Sequence, residues 1–175
     1  MLKSVTFKQD YRCFKKGQSF QFEPLTLLVG DQGSGKSTLL QLLSGNNTKI
    51  LDIDAGPIST RSFDYEKDNP RKKPDVYTTL DIAVRMVSHG QFVRQLNESI
   101  CDQPGVCWLQ DEPDASLSIR SCFKLAENFK TAIANKSQVI AAVHAQALIE
   151  QFPRVLSIEH RKWMTSQEFI KIELG

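Results

Sequence analysis

Eight consecutive residues, Gly30-Asp31-Gln32-Gly33-Ser34-Gly35-Lys36-Ser37, constrain this chain more than any other stretch. They spell G-x-x-x-x-G-K-[ST], a loop whose backbone N–H groups can turn inward around a phosphate. Glycines at 30, 33 and 35 permit conformations that a side chain would block. The flanks fit the motif. Leu25–Val29 is an apolar run suited to a buried strand, and Ser37–Leu43 reads as a helix with leucines at 39, 40, 42 and 43. Such a helix offers its N-terminus, and the positive end of its dipole, to an anion. Lys36 is expected to reach the β- and γ-phosphates of a nucleoside triphosphate, with Gly30 to Thr38 around them. The Ser37 hydroxyl is expected to ligate Mg²⁺.

At 175 residues the chain can bury a substantial core as one domain, residues 1–175. Its 22 basic and 20 acidic residues leave a net charge of +2, which neither demands nor excludes nucleic acid. Cys13, Cys101, Cys107 and Cys122 form no C-x-x-C pair and have no histidine at zinc-ligand spacing. They read as reduced thiols of a cytosolic protein. No apolar run approaches the ~20 residues of a membrane span, and MLKSVTFKQDY lacks the apolar core of a signal peptide. A cytoplasmic protein with no membrane insertion is the expectation.

Patterning predicts strands over Leu2–Lys8 and Phe14–Phe22, then the phosphate-loop strand and helix. Short strands follow at Lys49–Asp54 and Arg61–Tyr65. Glu66–Asp75 is a polar loop with two prolines, and helices run from Thr78 to Val87 and from Gln91 to Cys101. Val106–Leu109 reads as a strand. A long amphipathic helix is expected over Leu117–Ala134, with Ile119, Phe123, Leu125, Phe129 and Ile133 along its apolar side. Val139–Val143 is a buried strand, Ala145–Phe152 a helix, and Val155–Glu159 and Glu168–Leu174 closing strands. Strands alternating with helices after the phosphate loop imply an α/β fold, its mainly parallel sheet covered on both faces.

WLQDEPDAS puts two carboxylates at the C-terminal end of a buried strand, where α/β sheets place their ligands. Asp111 is expected to hold Mg²⁺ and Glu112 to polarise an attacking water as general base. With these residues the chain resembles the ABC-type ATPases over roughly residues 11 to 160. Asp111-Glu112-Pro113 followed by Asp114-Ala115-Ser116-Leu117-Ser118 is similar to that family's Walker B motif and D-loop. His144, at the end of the next strand, stands where the family has its switch histidine. Ser88-His89-Gly90-Gln91 is similar to the signature Ser-Gly-Gly-Gln, with His89 in place of the first glycine.

The resemblance implies a P-loop NTPase, ABC-ATPase-like fold with an N-terminal antiparallel β portion. It implies two subunits sandwiching Mg–ATP, with Ser88 and Gly90 reaching the site of the facing subunit. The implied reaction is ATP + H₂O to ADP + phosphate, with His144 orienting the γ-phosphate and water. The interval from Lys36 to Ser88 leaves room only for a reduced helical subdomain, and no glutamine lies between Gln41 and Gln91 to serve as the Q-loop residue. Asp64 or Glu66 is the candidate replacement. Tyr11-Arg12-Cys13-Phe14-Lys15, followed by PLTLLVG, is similar to the repair and chromosome-maintenance branch, which makes Arg12 a nucleotide contact. In place of that branch's long coiled coil there is a compact chain like the stand-alone predicted ATPases of bacteria and phages. DNA maintenance, repair or defence with a nuclease or other effector is therefore expected, with Arg71-Lys72-Lys73 as a candidate DNA contact. The rivals are a transporter's energy-coupling ATPase and a nucleotide-binding module that dimerises without hydrolysis.

Overall fold

The computed structural model describes residues 1–65 and 104–173. An antiparallel sheet of order β2-β1-β4 is built from β1 (Leu2–Phe7), β2 (Ser19–Gln21) and β4 (Leu51–Ala55). The larger sheet has the order β5-β6-β7-β3-β8-β9. Its strands are β3 (Leu25–Val29), β5 (Ser59–Asp64), β6 (Val106–Asp111), β7 (Gln138–Ala142), β8 (Arg154–Ser157) and β9 (Lys162–Thr165). All run parallel except the last, which is antiparallel to β8. Four helices complete the described residues: α1 (Lys36–Ser44), α2 (Ile119–Ala134), α3 (Gln146–Ile149) and α4 (Ser166–Glu173).

Strand periodicity divides the core into two layers. Leu28, Cys107, Leu109, Ile140 and Ala142 face α1 and the antiparallel sheet, where Phe7, Phe14 and Phe20 pack ring against ring. Leu27, Val29, Val139, Ala141 and Val143 face α2 and α4. The same parity carries Asp111, two residues beyond Leu109, to the α1 side of β6. A buried glutamine ties the two sheets together. Gln138, at the start of β7, accepts from the Leu2 N–H (2.8 Å) and donates to the carbonyls of Leu2 (2.7 Å) and Glu23 (3.1 Å). Gln138→Ala strands both main-chain groups of Leu2 away from water. The expected loss is roughly 2–4 kcal/mol, read from the urea midpoint at constant m-value.

Three sequence expectations are corrected. Glu168–Leu174 is helical, because Thr165 and Glu168 form a capping box. The Glu168 carboxylate accepts from the Thr165 N–H (2.8 Å) and hydroxyl (2.9 Å), while the Thr165 hydroxyl accepts from the Glu168 N–H (3.1 Å). These bonds also hold the Glu168 carboxyl below its usual pKa. Phe14–Phe22 is a strand only at Ser19–Gln21. Before it, a Tyr11–Phe14 bridge closes a tight turn with Arg12 at φ 51°, and Gly17 at φ 82° turns the chain again. On α2 the buried face is Cys122, Leu125, Ala126, Phe129 and Ala132; Ile119 and Phe123 are 67% and 45% exposed. Unexpected as well is the edge strand β9, whose Trp163 donates to the Gln21 carbonyl (3.1 Å). Cys107 and Cys122 are buried free thiols and Cys13 is exposed and free; burial pushes Cys107 up to about 12. The loop at Glu66–Asp75, the two helices placed between Thr78 and Cys101, the reduced helical subdomain, Arg71-Lys72-Lys73, Ser88, Gly90 and Cys101 lie outside the described residues.

Candidate functional site

The phosphate loop joins the C-terminal end of β3 to the N-terminus of α1. Gly30, Gly33 and Gly35 take φ values of 135°, 86° and 108°, all in the region L side chains rarely adopt. At Gly35 a methyl group would also sit 2.6 Å from Cys13 Sγ and 2.7 Å from the Phe14 ring, so the turn at 11–14 presses on the loop from behind. Cys13 Sγ further donates to the Ser34 carbonyl (3.4 Å). Arg12 bonds the Thr38 hydroxyl (2.9 Å), which puts its guanidinium at the first turn of α1.

Lys36 is buried, and its ammonium donates to the loop's own carbonyls at Gly30 (2.5 Å) and Asp31 (3.0 Å). Burial pulls its pKa below the ordinary lysine value, opposed by the charges of Glu112, Asp111, Asp31 and Glu173. The Ser37 hydroxyl donates to Asp111 Oδ1 (2.9 Å). Across the sheet Asp64 pairs in register with Asp111, so the ends of β5 and β6 bring two carboxyl residues side by side.

Glu112 leaves β6 with φ 56°, its N–H bonded to the Ala142 carbonyl (3.0 Å) at the end of β7. This turn sends its side chain away from Asp111 and towards His144, whose Nε2 lies 3.5 Å from Glu112 Oε1. Both side chains remain partly open to solvent. Gln32, Gly33, Gly35, Lys36, Ser37, Thr38, Glu112 and His144 line one cavity of about 130 Å³. Asp31 stands to one side, its carboxylate grouped with those of Glu159 and Glu173 within 4.8 Å. Neither glutamate was singled out from sequence, since each comes from a distant segment that only the fold brings to the loop. His160 is exposed and bonds Ser157, away from this cavity.

The donor set has a definite chemistry. A hydroxyl and a carboxylate are hard oxygen ligands of the kind Mg²⁺ takes, and both stand beside a loop shaped for phosphates. Glu112 and His144 supply a partly solvated proton acceptor and a second hydrogen-bonding group.

Comparison with known proteins bears on the fold and on the segment that carries the loop. A family model described as an AAA domain matches residues 9–45, the stretch from the turn at Arg12 through α1. A search of curated proteins by sequence finds no significant match. Among solved structures, the chain is similar to CbiO1 from Clostridium perfringens, described as part of the ABC transporter complex CbiONQ. The TM-score is 0.59 at 14% identity, covering 98% of this chain and 92% of that one. The fold is that of the ABC-type P-loop ATPases. Within it, Lys36 and Ser37 occupy the loop, Asp111 and Glu112 the end of the neighbouring strand but one, and His144 the end of the strand between. No described helix is long and apolar enough to cross a membrane.

Proposed function

We propose that the chain binds Mg–ATP at the phosphate loop and hydrolyses it. The observation that carries the reading is the cavity shared by Lys36, Ser37, Glu112 and His144, with Asp111 bonded to Ser37. Lys36 would leave its loop carbonyls for the phosphates, joined by the backbone N–H groups of residues 30–38. Ser37 and Asp111 would hold Mg²⁺, which supplies charge neutralisation at the β- and γ-phosphates. Glu112 accepts the proton of the attacking water, and His144 orients that water and the γ-phosphate. Arg12, at the start of α1, contacts the nucleotide from the N-terminal side.

Ser88 and Gly90 of a second copy would complete each site, so ATP drives a homodimer and hydrolysis releases it. The work done by that cycle is DNA maintenance, repair or defence, through a nuclease or other effector. A transporter's ATPase subunit is the second reading, favoured by the likeness to CbiO1. DNA that accelerates hydrolysis at low salt supports the first; no response to either duplex or single-stranded DNA supports the second.

The test of binding is Lys36→Ala. It is expected to lose at least tenfold in affinity for a fluorescent ATP analogue, because no other described cation lines the cavity. Unchanged affinity would remove the loop from the site.

A further inference from the structure

We propose that Asp114 is a positioning residue for hydrolysis, holding the backbone of His144 so that its imidazole meets Glu112. The reading rests on the ATPase function above. Asp114 follows Glu112 in the turn after β6 and is 5% exposed. Its Oδ2 accepts from the backbone N–H of His144 (2.7 Å) and of Ala145 (2.5 Å). One carboxylate oxygen thus grips the main chain on both sides of the His144 carbonyl. Among the described residues the start of α3 has no other side-chain acceptor, since its N-cap is Ala145.

Glu112 and His144 follow β6 and β7, whose ladder ends with Asp111 opposite Ala142. Beyond the ladder, the Glu112 N–H bonds the Ala142 carbonyl, which sets the carboxylate's own turn on β7. Asp114 runs the opposite way, from the Glu112 turn to the residues after β7. The turn itself is braced by the Ala115 N–H on the Glu112 carbonyl and the Leu117 N–H on the Asp114 carbonyl. Movement of His144 is thereby tied to movement of the segment that carries the general base.

The arrangement is costly to the fold. Among the described residues Asp114 Oδ1 is sealed from solvent and has no hydrogen-bond partner, and a buried polar atom left unpaired costs stability. Pairing two main-chain N–H groups is one reason for a carboxylate here. Fixing two polar side chains 3.5 Å apart at the proposed reacting centre is the other. A misplacement of about 1 Å at such a centre can cost ~10²-fold in rate.

The experiment measures steady-state ATP hydrolysis by wild type, Glu112→Gln, Asp114→Ala and Asp114→Asn, with thermal unfolding of each. Asparagine keeps an oxygen that can accept both N–H groups; alanine keeps none. Asp114→Ala is expected to lose about 10–100-fold in kcat with KM within threefold of wild type, and Asp114→Asn to recover most of that loss. A merely structural role would lower the unfolding midpoint and leave kcat per folded molecule intact in both variants. With turnover present in wild type and lost in Glu112→Gln, a folded Asp114→Ala at wild-type kcat overturns the assignment of Asp114 alone. An inactive wild type overturns the ATPase reading and this proposal together. Amide hydrogen exchange on the wild type covers the case in which the alanine variant does not fold. Protected His144 and Ala145 amides are expected, and exchange at the rate of an unstructured peptide overturns the proposal.

Discussion

Glu112→Gln is expected to bind ATP as tightly as the wild type and to hydrolyse it on the order of 10²–10⁴ times more slowly. The substitution is nearly isosteric, and its site is partly solvated, so no buried charge or cavity is created. Lys36, Ser37 and Asp111 are untouched, which preserves the contacts assigned to the phosphates and Mg²⁺. The amide can still bond His144, but it cannot take a proton from water. Since hydrolysis dissolves the sandwich in the cycle proposed above, the stalled variant should also accumulate as an ATP-dependent dimer, seen by light scattering with and without Mg–ATP. Wild-type turnover in Glu112→Gln would take the general-base role away from Glu112. An unchanged monomer with ATP demonstrably bound would count against the sandwich.

The second large effect is a rescue. If Ser88-His89-Gly90-Gln91 acts across the dimer, each site takes its phosphate loop from one subunit and Ser88 from the other. Ser88→Arg then kills hydrolysis through bulk and charge at the interface, and Lys36→Ala kills it from the nucleotide side. Neither homodimer retains a working site. A mixed dimer has one site carrying both defects and one carrying none, so mixing two dead proteins restores activity at up to half of the mixed-dimer sites. Tagged proteins establish beforehand that subunits exchange. Full activity in Ser88→Arg by itself would sink the signature assignment. Recovered activity, by contrast, requires sites that are shared.

The parts of the site visible in the sequence are those whose chemistry depends on neighbours along the chain. Gly30 to Ser37 is one continuous turn, and Asp111-Glu112 sits where an apolar strand ends, so residue types and intervals carried the information. His144 came from the resemblance to the ABC-type ATPases, at the end of the next strand. What could not be read was contact between remote segments. Gln138 reaches Leu2 across most of the chain, and Glu159 and Glu173 come to Asp31 from just after β8 and from the end of α4. Asp114 gave no signal as a brace, because its partners are backbone N–H groups that any residue but proline at 144 or 145 would offer. The misread of α4 is different. Thr165 and Glu168 stood at capping-box spacing, but the apolar residues after them also suit a strand, and the cap decided. On α2 the predicted stripe was a little too wide: the true buried face passes through Cys122 and Ala126, leaving Ile119 and Phe123 outside it.

The left-handed backbone at Glu112 sets the fold and the chemistry against each other. A residue with a Cβ at φ 56° carries local strain of order 1 kcal/mol, which glycine in the same place would relieve. Most inactivating substitutions in a buried turn also loosen the protein; Glu112→Gly should inactivate it while leaving the folded state at least as resistant to heat. A screen that selects variants of this chain for thermal stability alone would therefore favour loss of the residue proposed here as the general base.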